Sequence, residues 1–178
     1  YNMSPETLVT GDYMELGVDS MLKETSIDVP ERCTITPNGA LYRTDKKGFL
    51  PEMMQEIYND RTVYKKKMLE AKLQYVDTKD TKYLKYISRY NNIQMARKIQ
   101  LNSLFGAIGN KWFRFFDERI AEAITLSGQL IIRDTGKVVD EFMNKFLGTE
   151  DEVYSFYTDT DSCYVTLDTM VDKHLKGK

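Results

Sequence analysis

The chain has 178 residues, of which 42% are hydrophobic and 29% are charged, and its formal net charge is −2. These values indicate a soluble globular protein of one domain, or one and a half, and no apolar run approaches the roughly 20 residues that a membrane-spanning helix needs. One histidine, His174, and two distant cysteines, Cys33 and Cys163, argue against a zinc site, a disulfide framework and histidine-based nucleophilic catalysis.

The charge is distributed in blocks along the chain. Residues 61–98 hold 11 Lys or Arg against 3 Asp or Glu, a net charge of +8, whereas residues 1–60 and 99–178 have net charges of −6 and −4. A basic block between acidic flanks indicates a polyanion partner that binds one element of the fold. A solvated helix face rich in lysine gives the same pattern, so charge alone leaves both interpretations open.

The first strand signal lies in the segment CTITPNGALYRTD, residues 33–45. Two short runs of alternating polar and apolar residues surround Asn38-Gly39, a dipeptide that favours a tight turn. The segment therefore predicts a β-hairpin.

Two long helical patterns follow. Pro51, a residue favoured in the first turn of a helix, opens the first pattern, and its apolar stripe covers residues 52–75. The polar segment DTKDTK at residues 77–82 separates it from a second stripe over residues 81–108. Two long helices joined by a short polar turn predict an antiparallel helical hairpin, in which each apolar stripe covers the other.

Each predicted helix carries a polar pair at the edge of its apolar stripe. Arg61 and Lys65 lie four residues apart on the first helix, and Lys98 and Asn102 lie four apart on the second. The hairpin leaves both pairs free to face a common cleft. Alternatively, they are boundary residues whose aliphatic stems lie along the protein while their polar ends reach solvent.

A third helix is predicted from Asp117, a favourable N-cap, to the vicinity of Gly148. We expect its buried face to consist of six apolar residues: Ile120, Ile124, Ile131, Val138, Phe142 and Phe146. The segments VYSFYT and CYVTL then alternate as strands on either side of Asp159-Thr160-Asp161, which predicts a second β-hairpin.

The two carboxylates of this hairpin, Asp159 and Asp161, need a chemical explanation. Residues i and i+2 of an extended chain point the same way, and two carboxylates that close together are costly unless a cation or proton compensates. Oxygen ligands suit Mg²⁺, although a two-metal site needs a third acidic ligand from elsewhere. A structural turn is the alternative, because Asp and Thr are common turn residues. Together with the cations of the helical pair, the carboxylates suit a metal-bound triphosphate.

Two motifs resemble those of family B DNA polymerases. The segment KIQLNSLFG, residues 98–106, resembles their K-x3-N-S-x-Y-G motif, and YTDTDS, residues 157–162, resembles their Y-G-D-T-D-S motif. The separation of the two motifs also fits this family. Four further segments resemble, in order, parts of the replicative enzymes of T4-type bacteriophages: SPET (residues 4–7), TPNGALY (36–42), NDR (59–61) and NSLFGAIGNKWFRFFD (102–117). The resemblance therefore covers essentially the whole chain.

The resemblance implies an α+β fold, in which a long antiparallel helical hairpin, the fingers, is attached to part of an antiparallel-sheet palm with a carboxylate β-hairpin. It implies three segments: a palm-associated segment with a β-hairpin at residues 1–50, the fingers at 51–109, and a palm helix with the catalytic hairpin at 110–178. The implied activity is that of a template-directed DNA polymerase, which transfers deoxynucleotides to a primer 3′ end by two-metal-ion catalysis with Mg²⁺. The implied partners are primer–template DNA and deoxynucleoside triphosphates, in the cytoplasm of an infected bacterial host.

The resemblance also implies residue roles. Four residues match those that hold the triphosphate of the incoming nucleotide: Arg61, Lys65, Lys98 and Asn102. Phe105 and Gly106 match the residues near the nascent base pair, although Phe105 lacks the usual tyrosine hydroxyl. Asp161 matches the catalytic aspartate that binds the metals, and Asp159 matches its weaker neighbour. Thr158 replaces the glycine of the T4-type motif.

One palm motif of the family, D-x-x-S-L-Y-P with the other catalytic aspartate, has no counterpart in this sequence. We therefore expect the chain alone to lack polymerase activity, and to be either a piece of a longer enzyme or a natural subunit of a split polymerase that joins the remaining domains. The first residue, Tyr1, favours the piece. Two alternatives are a non-catalytic helical module that binds nucleic acid, with a structural Asp-Thr-Asp turn, and a nucleotidyltransferase outside replication.

Overall fold

The computed structural model describes residues 1–11, 16–23 and 26–174, apart from the side chain of His174. Its helices and strands are, in chain order, α1 (Val18–Leu22), β1 (Cys33–Ile35), β2 (Leu41–Arg43), α2 (Phe49–Thr78), α3 (Lys82–Ile108), α4 (Glu118–Leu147), β3 (Ser155–Asp159), β4 (Ser162–Val165) and α5 (Asp168–His174). Long helices combined with two two-stranded sheets confirm the α+β class. Among these described residues, no helix is both long enough and apolar enough to cross a bilayer.

The chain forms two compact units, and each is described by itself. Unit 1 comprises Tyr1–Thr10, Pro30–Thr34 and Leu41–Ala121, and unit 2 comprises Gly11–Val29, Ile35–Ala40 and Glu122–Lys178. The helical pair of α2 and α3 lies in unit 1, and the hairpin of β3 and β4 lies in unit 2. The three segments expected from the family resemblance remain a prediction.

The boundaries of the predicted helical hairpin are confirmed in unit 1. Helix α2 begins at Phe49, so Pro51 lies in its first turn, where the missing N–H of proline has no helical partner to lose. The helix ends where Lys79 adopts a left-handed conformation with a φ of 56°. Helix α3 then starts at Lys82, after a short polar turn.

The two helices pack antiparallel along their apolar stripes. The rings of Tyr64 and Tyr90 lie 6.1 Å apart. Nearer the open end of the pair, Arg97 Nε lies 2.6 Å from a carboxylate oxygen of Asp60. Met68 of α2 is buried at this contact surface, as the 3.6-residue period predicts.

The N-terminal segment caps α2. Gly48 is the N-cap and supplies no side chain, but Glu6 Oε1 accepts a hydrogen bond from Phe49 N–H at 2.5 Å, and Ser4 Oγ accepts one from Leu50 N–H at 3.4 Å. A Cβ at Gly48 would lie 2.6 Å from Ser4 Cβ, so this close approach requires glycine. The segment SPET therefore fixes where the helical pair starts.

The first predicted β-hairpin is also confirmed. Strands β1 and β2 form a two-stranded sheet. Gly39 in the connecting turn has a φ of 79°, a left-handed value that glycine adopts without steric cost. Leu8 forms an antiparallel bridge with Tyr42 of β2, which attaches the N-terminal segment to this strand.

Helix α4 begins and ends where the sequence predicts. Asp117 Oδ1 accepts a hydrogen bond from Arg119 N–H at 3.0 Å, which satisfies one of the unpaired N–H groups of the first turn. Gly148 follows the helix directly and has a left-handed φ of 62°, the usual conformation of a glycine that ends a helix.

The buried face predicted for α4 is wrong over most of its length. Ile120 is buried and Ile124 is half-buried, but four of the six predicted residues are 53–64% exposed: Ile131, Val138, Phe142 and Phe146. After residue 127 the buried residues of the helix are Gly136, Met143 and Leu147, on the opposite face. Because α4 is apolar on both sides, its period does not reveal which side the rest of unit 2 covers.

The second predicted hairpin is confirmed in unit 2. Strands β3 and β4 are antiparallel, and Asp159 pairs with Ser162 across a two-residue turn of Thr160 and Asp161. Asp159 therefore ends a strand, whereas Asp161 lies in the turn itself. A small core holds the hairpin against α4: Met143, Leu147 and Tyr154, with Val139, Val165 and Met170 packed around them.

Candidate nucleotide-binding and metal-binding residues

The helical pair has two edges, and they differ in whether the cations on them form ion pairs. On one edge, Arg97 of α3 is neutralised by Asp60 of α2. Arg61 and Lys98 each follow one residue later, and because an α-helix turns by about 100° per residue, both lie toward the opposite edge. Lys65 and Asn102 lie one helical turn further along their helices on this second edge. The four residues Arg61, Lys65, Lys98 and Asn102 together form the polar edge.

The cations of the polar edge have no anionic partner among the residues that the structure describes. Arg61 is half-buried, and its Nε is buried without a hydrogen-bond partner among the described residues. Lys65 and Lys98 are exposed, and within the described part of the chain neither forms an ion pair. A buried donor without an acceptor is rare in folded proteins and calls for an explanation. The polar edge is therefore suited to bind an anion.

Asn102 lies in an open groove beside the polar edge. The groove has a volume of about 420 Å³, and both helices line it, with Gln55 and Tyr58 contributed by α2 and Asn102 by α3. The groove offers hydrogen-bond donors and acceptors to a polar ligand, from the amides of Gln55 and Asn102 and the hydroxyl of Tyr58.

The residues expected at the nascent base pair share a face with the polar edge. Lys98, Asn102 and Phe105 recur at positions i, i+4 and i+7 of α3, which places them on one side of the helix. Phe105 is 47% exposed. A Cβ at Gly106 would meet nothing within 4 Å, so the helix surface there is open.

The carboxylate hairpin has a strained turn. Thr160 has a φ of 52°, a left-handed value that favours glycine. A β-branched residue in the left-handed region is an outlier, and such strain clusters at functional sites. Thr160 Oγ1 donates to Asp159 Oδ1 at 3.0 Å, and Ser162 Oγ donates to the Asp159 carbonyl at 3.1 Å.

The two aspartates of this hairpin fit part of a magnesium site. Asp159 and Asp161 are exposed, and neither forms an ion pair with a described residue. Their hard oxygen donors suit Mg²⁺, which takes one or two carboxylates and completes its octahedron with water and phosphate oxygens. Among the residues that the structure describes, no three His, Cys, Asp or Glu side chains are grouped to hold a metal ion. A complete site therefore needs ligands besides these two.

Asp140 of α4 fixes the start of the carboxylate hairpin. Its Oδ1 accepts hydrogen bonds from Tyr154 N–H at 2.9 Å and from Ser155 N–H at 2.7 Å, and its Oδ2 accepts one from the Ser155 hydroxyl at 2.8 Å. Partial burial raises the pKa of Asp140, but the hydrogen bonds from Ser155 and Tyr154 outweigh it and lower the pKa below its ordinary value. Because β3 starts at Ser155, this contact orients the strand that ends at Asp159.

Asn144, one turn after Asp140, holds the loop that leads to β3. Its Nδ2 donates to the Glu152 carbonyl at 2.8 Å, and its Oδ1 accepts from Glu152 N–H at 3.1 Å and from the Thr149 hydroxyl at 2.7 Å. Sequence reasoning misses Asp140 and Asn144, because polar residues four apart on a helix look like part of a solvated face. No local signal marks them, because both lie beside Met143 on the side of α4 that the apolar period did not predict to be buried.

Comparison with known proteins identifies the family. The family model described as DNA polymerase family B matches residues 1–176. The DNA-directed DNA polymerase of Escherichia phage RB69 is 28% identical over 213 aligned positions, and that of Enterobacteria phage T4 is 29% identical over 214. The structure of the family B DNA polymerase from the hyperthermophilic archaeon Pyrobaculum calidifontis superposes with a TM-score of 0.54 at 26% identity, and the match covers 99% of this chain and 19% of that one.

The chain belongs to DNA polymerase family B, because the family model matches nearly its whole length. The resemblance inferred from the motifs is thereby confirmed, and its similarity to the phage branch is confirmed by the two phage relatives. Each of those matches covers 97% of this chain but only 24% of the relative, so the chain spans about a quarter of the length of these proteins.

Proposed function

We propose that the chain supplies the nucleotide-binding fingers and part of the palm of a template-directed DNA polymerase, which adds deoxynucleotides to a primer 3′ end. The observation that carries the proposal is the state of the polar edge, where Arg61 has a buried donor without a partner among the described residues. Lys98 and Asn102 are the residues of the family motif on the same edge. The phage origin of two relatives supports the cytoplasm of an infected bacterial host as the place of this reaction.

The polar edge suits a triphosphate in both charge and hydrogen bonding. Arg61 presents a planar fork of donors, which matches two phosphate oxygens at once, and Lys65 and Lys98 act as point charges. Asn102 adds an uncharged amide donor. Phe105, on the same face of α3, then offers an apolar surface to the base, without the hydroxyl that the family motif usually supplies.

We propose Asp161 as the principal Mg²⁺ ligand of this chain and Asp159 as its weaker neighbour. These two carboxylates would hold Mg²⁺, which in a two-metal site would supply neutralisation of charge on the phosphate oxygens and a lower pKa for the attacking hydroxyl. The task of this chain is to hold the two carboxylates in place. Two local features hold them: the left-handed conformation of Thr160 in the turn, and the hydrogen bond from Ser155 N–H to Asp140 at the start of β3.

The remaining catalytic ligands are proposed to come from polypeptide outside these 178 residues, either in the same chain or in a complementing chain. An apolar stripe on α4 supports such a contact: Ile131, Val138, Phe142 and Phe146 are all more than half exposed. The rings of Phe142 and Phe146 stack 6.1 Å apart, which gives a continuous apolar surface. Large exposed apolar patches mark interaction sites, and the rest of the palm is the proposed occupant. The chain alone then does not extend a primer.

Complementation tests this proposal. The chain is mixed with a second chain that carries the D-x-x-S-L-Y-P motif and the remaining domains of a phage relative, and Mg²⁺-dependent primer extension is measured. We expect extension only in the mixture, and its loss with Asp161→Ala. Asp134→Ala is the matched control, since it removes an exposed carboxylate of α4 outside the hairpin. Extension that survives Asp161→Ala would contradict the metal assignment.

A further inference from the structure

The first half of α3 repeats a pattern that nucleotide binding does not use. In the segment KYLKYISRY, a cation directly precedes each of three tyrosines: Lys82-Tyr83, Lys85-Tyr86 and Arg89-Tyr90. Spacings of three and four residues place the cations on one stripe of the helix and the tyrosines on the adjacent stripe. Helix α3 contains five Lys or Arg residues and no Asp or Glu, so all the charged side chains of the helix that carries the repeat are basic.

The tyrosines form a ladder of rings. The ring centroids of Tyr83 and Tyr86 are 6.3 Å apart, and those of Tyr86 and Tyr90 are also 6.3 Å apart, with the two planes only 18° from parallel. The ladder continues to Tyr64 of α2, 6.1 Å from Tyr90. Tyr86 is 45% exposed, whereas the other three are half-buried. The half-buried rings of Tyr83 and Tyr90, on either side of Tyr86, therefore restrict the orientation of this exposed ring.

The cations around this ring are available to an anionic ligand. Lys85 and Arg89 are exposed, and neither pairs with an acidic group in the described ranges of the chain. Lys82 is less available, because its ammonium lies 2.9 Å from Asp80 and 5.0 Å from the centre of the Tyr83 ring.

The ladder lies away from the polar edge. Tyr86, Tyr90 and Arg97 are spaced by four and seven residues, so they share one side of α3, and Arg97 is the residue that pairs with Asp60. Lys98 and Asn102 lie toward the other side. A ligand on the ladder and a triphosphate on the polar edge thus use different residues.

We propose that this lysine–tyrosine face, formed by Lys85, Tyr86 and Arg89, binds single-stranded DNA. The two cations contact phosphates, and one unpaired base stacks on the exposed ring of Tyr86. A single strand fits better than a duplex, because the bases of a duplex are stacked on each other and cannot reach the ring. The choice of DNA over RNA rests on the proposed function; the net charge of +8 over residues 61–98 supports a nucleic acid of either kind.

Fluorescence anisotropy of a short labelled oligothymidylate, titrated with the 178-residue chain at several salt concentrations, tests the face. We expect Tyr86→Ala to weaken binding by about tenfold, which lies within the range for loss of one base–aromatic stack, and Tyr86→Phe to retain the affinity. Binding should also weaken with salt, and the slope of log K against log salt concentration measures this dependence. The double variant Lys85→Gln with Arg89→Gln should reduce the magnitude of this slope by about 1.4, since each phosphate contact to a single strand contributes about 0.7. Circular dichroism of each variant checks that the helices are intact.

The double variant Lys66→Gln with Lys145→Gln is the matched control, because it removes the same charge from two exposed lysines that belong neither to this face nor to the polar edge. It should leave the affinity for the oligonucleotide within about twofold, since it removes no contact to the ligand. Equal weakening by both double variants would overturn the proposal, as would tight binding that survives Tyr86→Ala or a preference for duplex DNA or RNA. Nucleotide binding is measured separately, on the double variant Lys65→Gln with Lys98→Gln of the polar edge, so failure of this face and failure of the proposed polymerase function are distinguishable.

Discussion

Ser155 of β3 is tied to Asp140 of α4 by two hydrogen bonds, one from its backbone N–H at 2.7 Å and one from its hydroxyl at 2.8 Å. The contact fixes the first residue of the strand whose last residue is Asp159. Sites that are supported by a helix and a strand keep their geometry better than sites on loops. We infer that Asp140 is a positioning residue for the proposed metal ligands.

Asp140→Asn tests this anchor, because it removes the charge and keeps the shape of the side chain. We expect the free energy of unfolding to fall by about 1–3 kcal/mol, since the N–H groups of Tyr154 and Ser155 lose a charged acceptor. Urea denaturation followed by circular dichroism measures the change. Glu141→Gln, at the exposed next position, is the matched control and should change the stability by less than about 0.5 kcal/mol. Similar losses in the two variants would contradict the anchor.

The same contact predicts a component of stability that is lost in acid. Partial burial raises the pKa of Asp140, but its hydrogen bonds lower the pKa further, so the folded value lies below the unfolded value of about 3.9. The folded state thus binds fewer protons, and the stabilisation is present above the unfolded pKa and is lost as the pH falls through the folded pKa.

Denaturation of the unaltered chain and of Asp140→Asn across the acid range measures this component, because asparagine does not titrate. The difference in unfolding free energy between the two should be constant near neutral pH and should shrink as the pH falls below about 4. A difference that stays the same down to the lowest pH would show that the charge of Asp140 does not contribute.

Gly48→Ala tests the close approach of the N-terminal segment to α2. A Cβ at this position would lie 2.6 Å from Ser4 Cβ and 3.3 Å from Pro51 Cδ, and Ser4 is fully buried. We expect a loss of about 1–3 kcal/mol, the usual cost of overpacking. Gly128→Ala in α4, where a Cβ meets nothing within 4 Å, should instead stabilise the chain by about 0.5–1 kcal/mol. Thermal denaturation of both variants measures these changes in stability. Equal destabilisation by Gly48→Ala and Gly128→Ala would rule out the steric explanation.

The apolar stripe of α4 is tested by the double variant Phe142→Ser with Phe146→Ser. Both rings are more than half exposed, so the isolated chain should keep its helix content. Primer extension in the complemented mixture should fall by about tenfold or more, because aromatic anchors dominate the energetics of an interface. Val153→Ser, which alters another exposed apolar residue of unit 2, is the control. If primer extension by the double variant is undiminished, the stripe does not form part of the interface.

The sequence was sufficient for the helix boundaries because their signals are local. The apolar period, Pro51 and the polar segment at 77–82 predicted α2 and α3, and the observed α3 is Lys82–Ile108. The turn glycine Gly39 likewise indicated the first hairpin. For α4 the period was equally clear but ambiguous, because apolar residues occupy both sides and only tertiary contacts select the buried one.

The carboxylate hairpin shows why part of the candidate site could not be predicted. Its location followed from the alternation of the strands around Asp159 and Asp161. Its anchor did not, because Asp140 and Ser155 are 15 residues apart and no local pattern links them. The left-handed Thr160 also lacked a signal, since the segment contains no glycine where the turn requires a positive φ.

The central claim is that the polar edge binds the triphosphate of the incoming nucleotide. Lys98→Ala and Lys66→Ala each remove one exposed cation from the helical pair, and Lys66 lies one residue past Lys65, turned away from the polar edge. The decisive measurement is kcat/KM for the incoming nucleotide in the complemented polymerase. It should fall at least about tenfold in Lys98→Ala, since a charge-assisted hydrogen bond contributes about 1.5–3 kcal/mol, and change little in Lys66→Ala, with both chains equally stable. Equal losses of kcat/KM in the two variants would contradict the claim, because only the net charge of the helices would then matter.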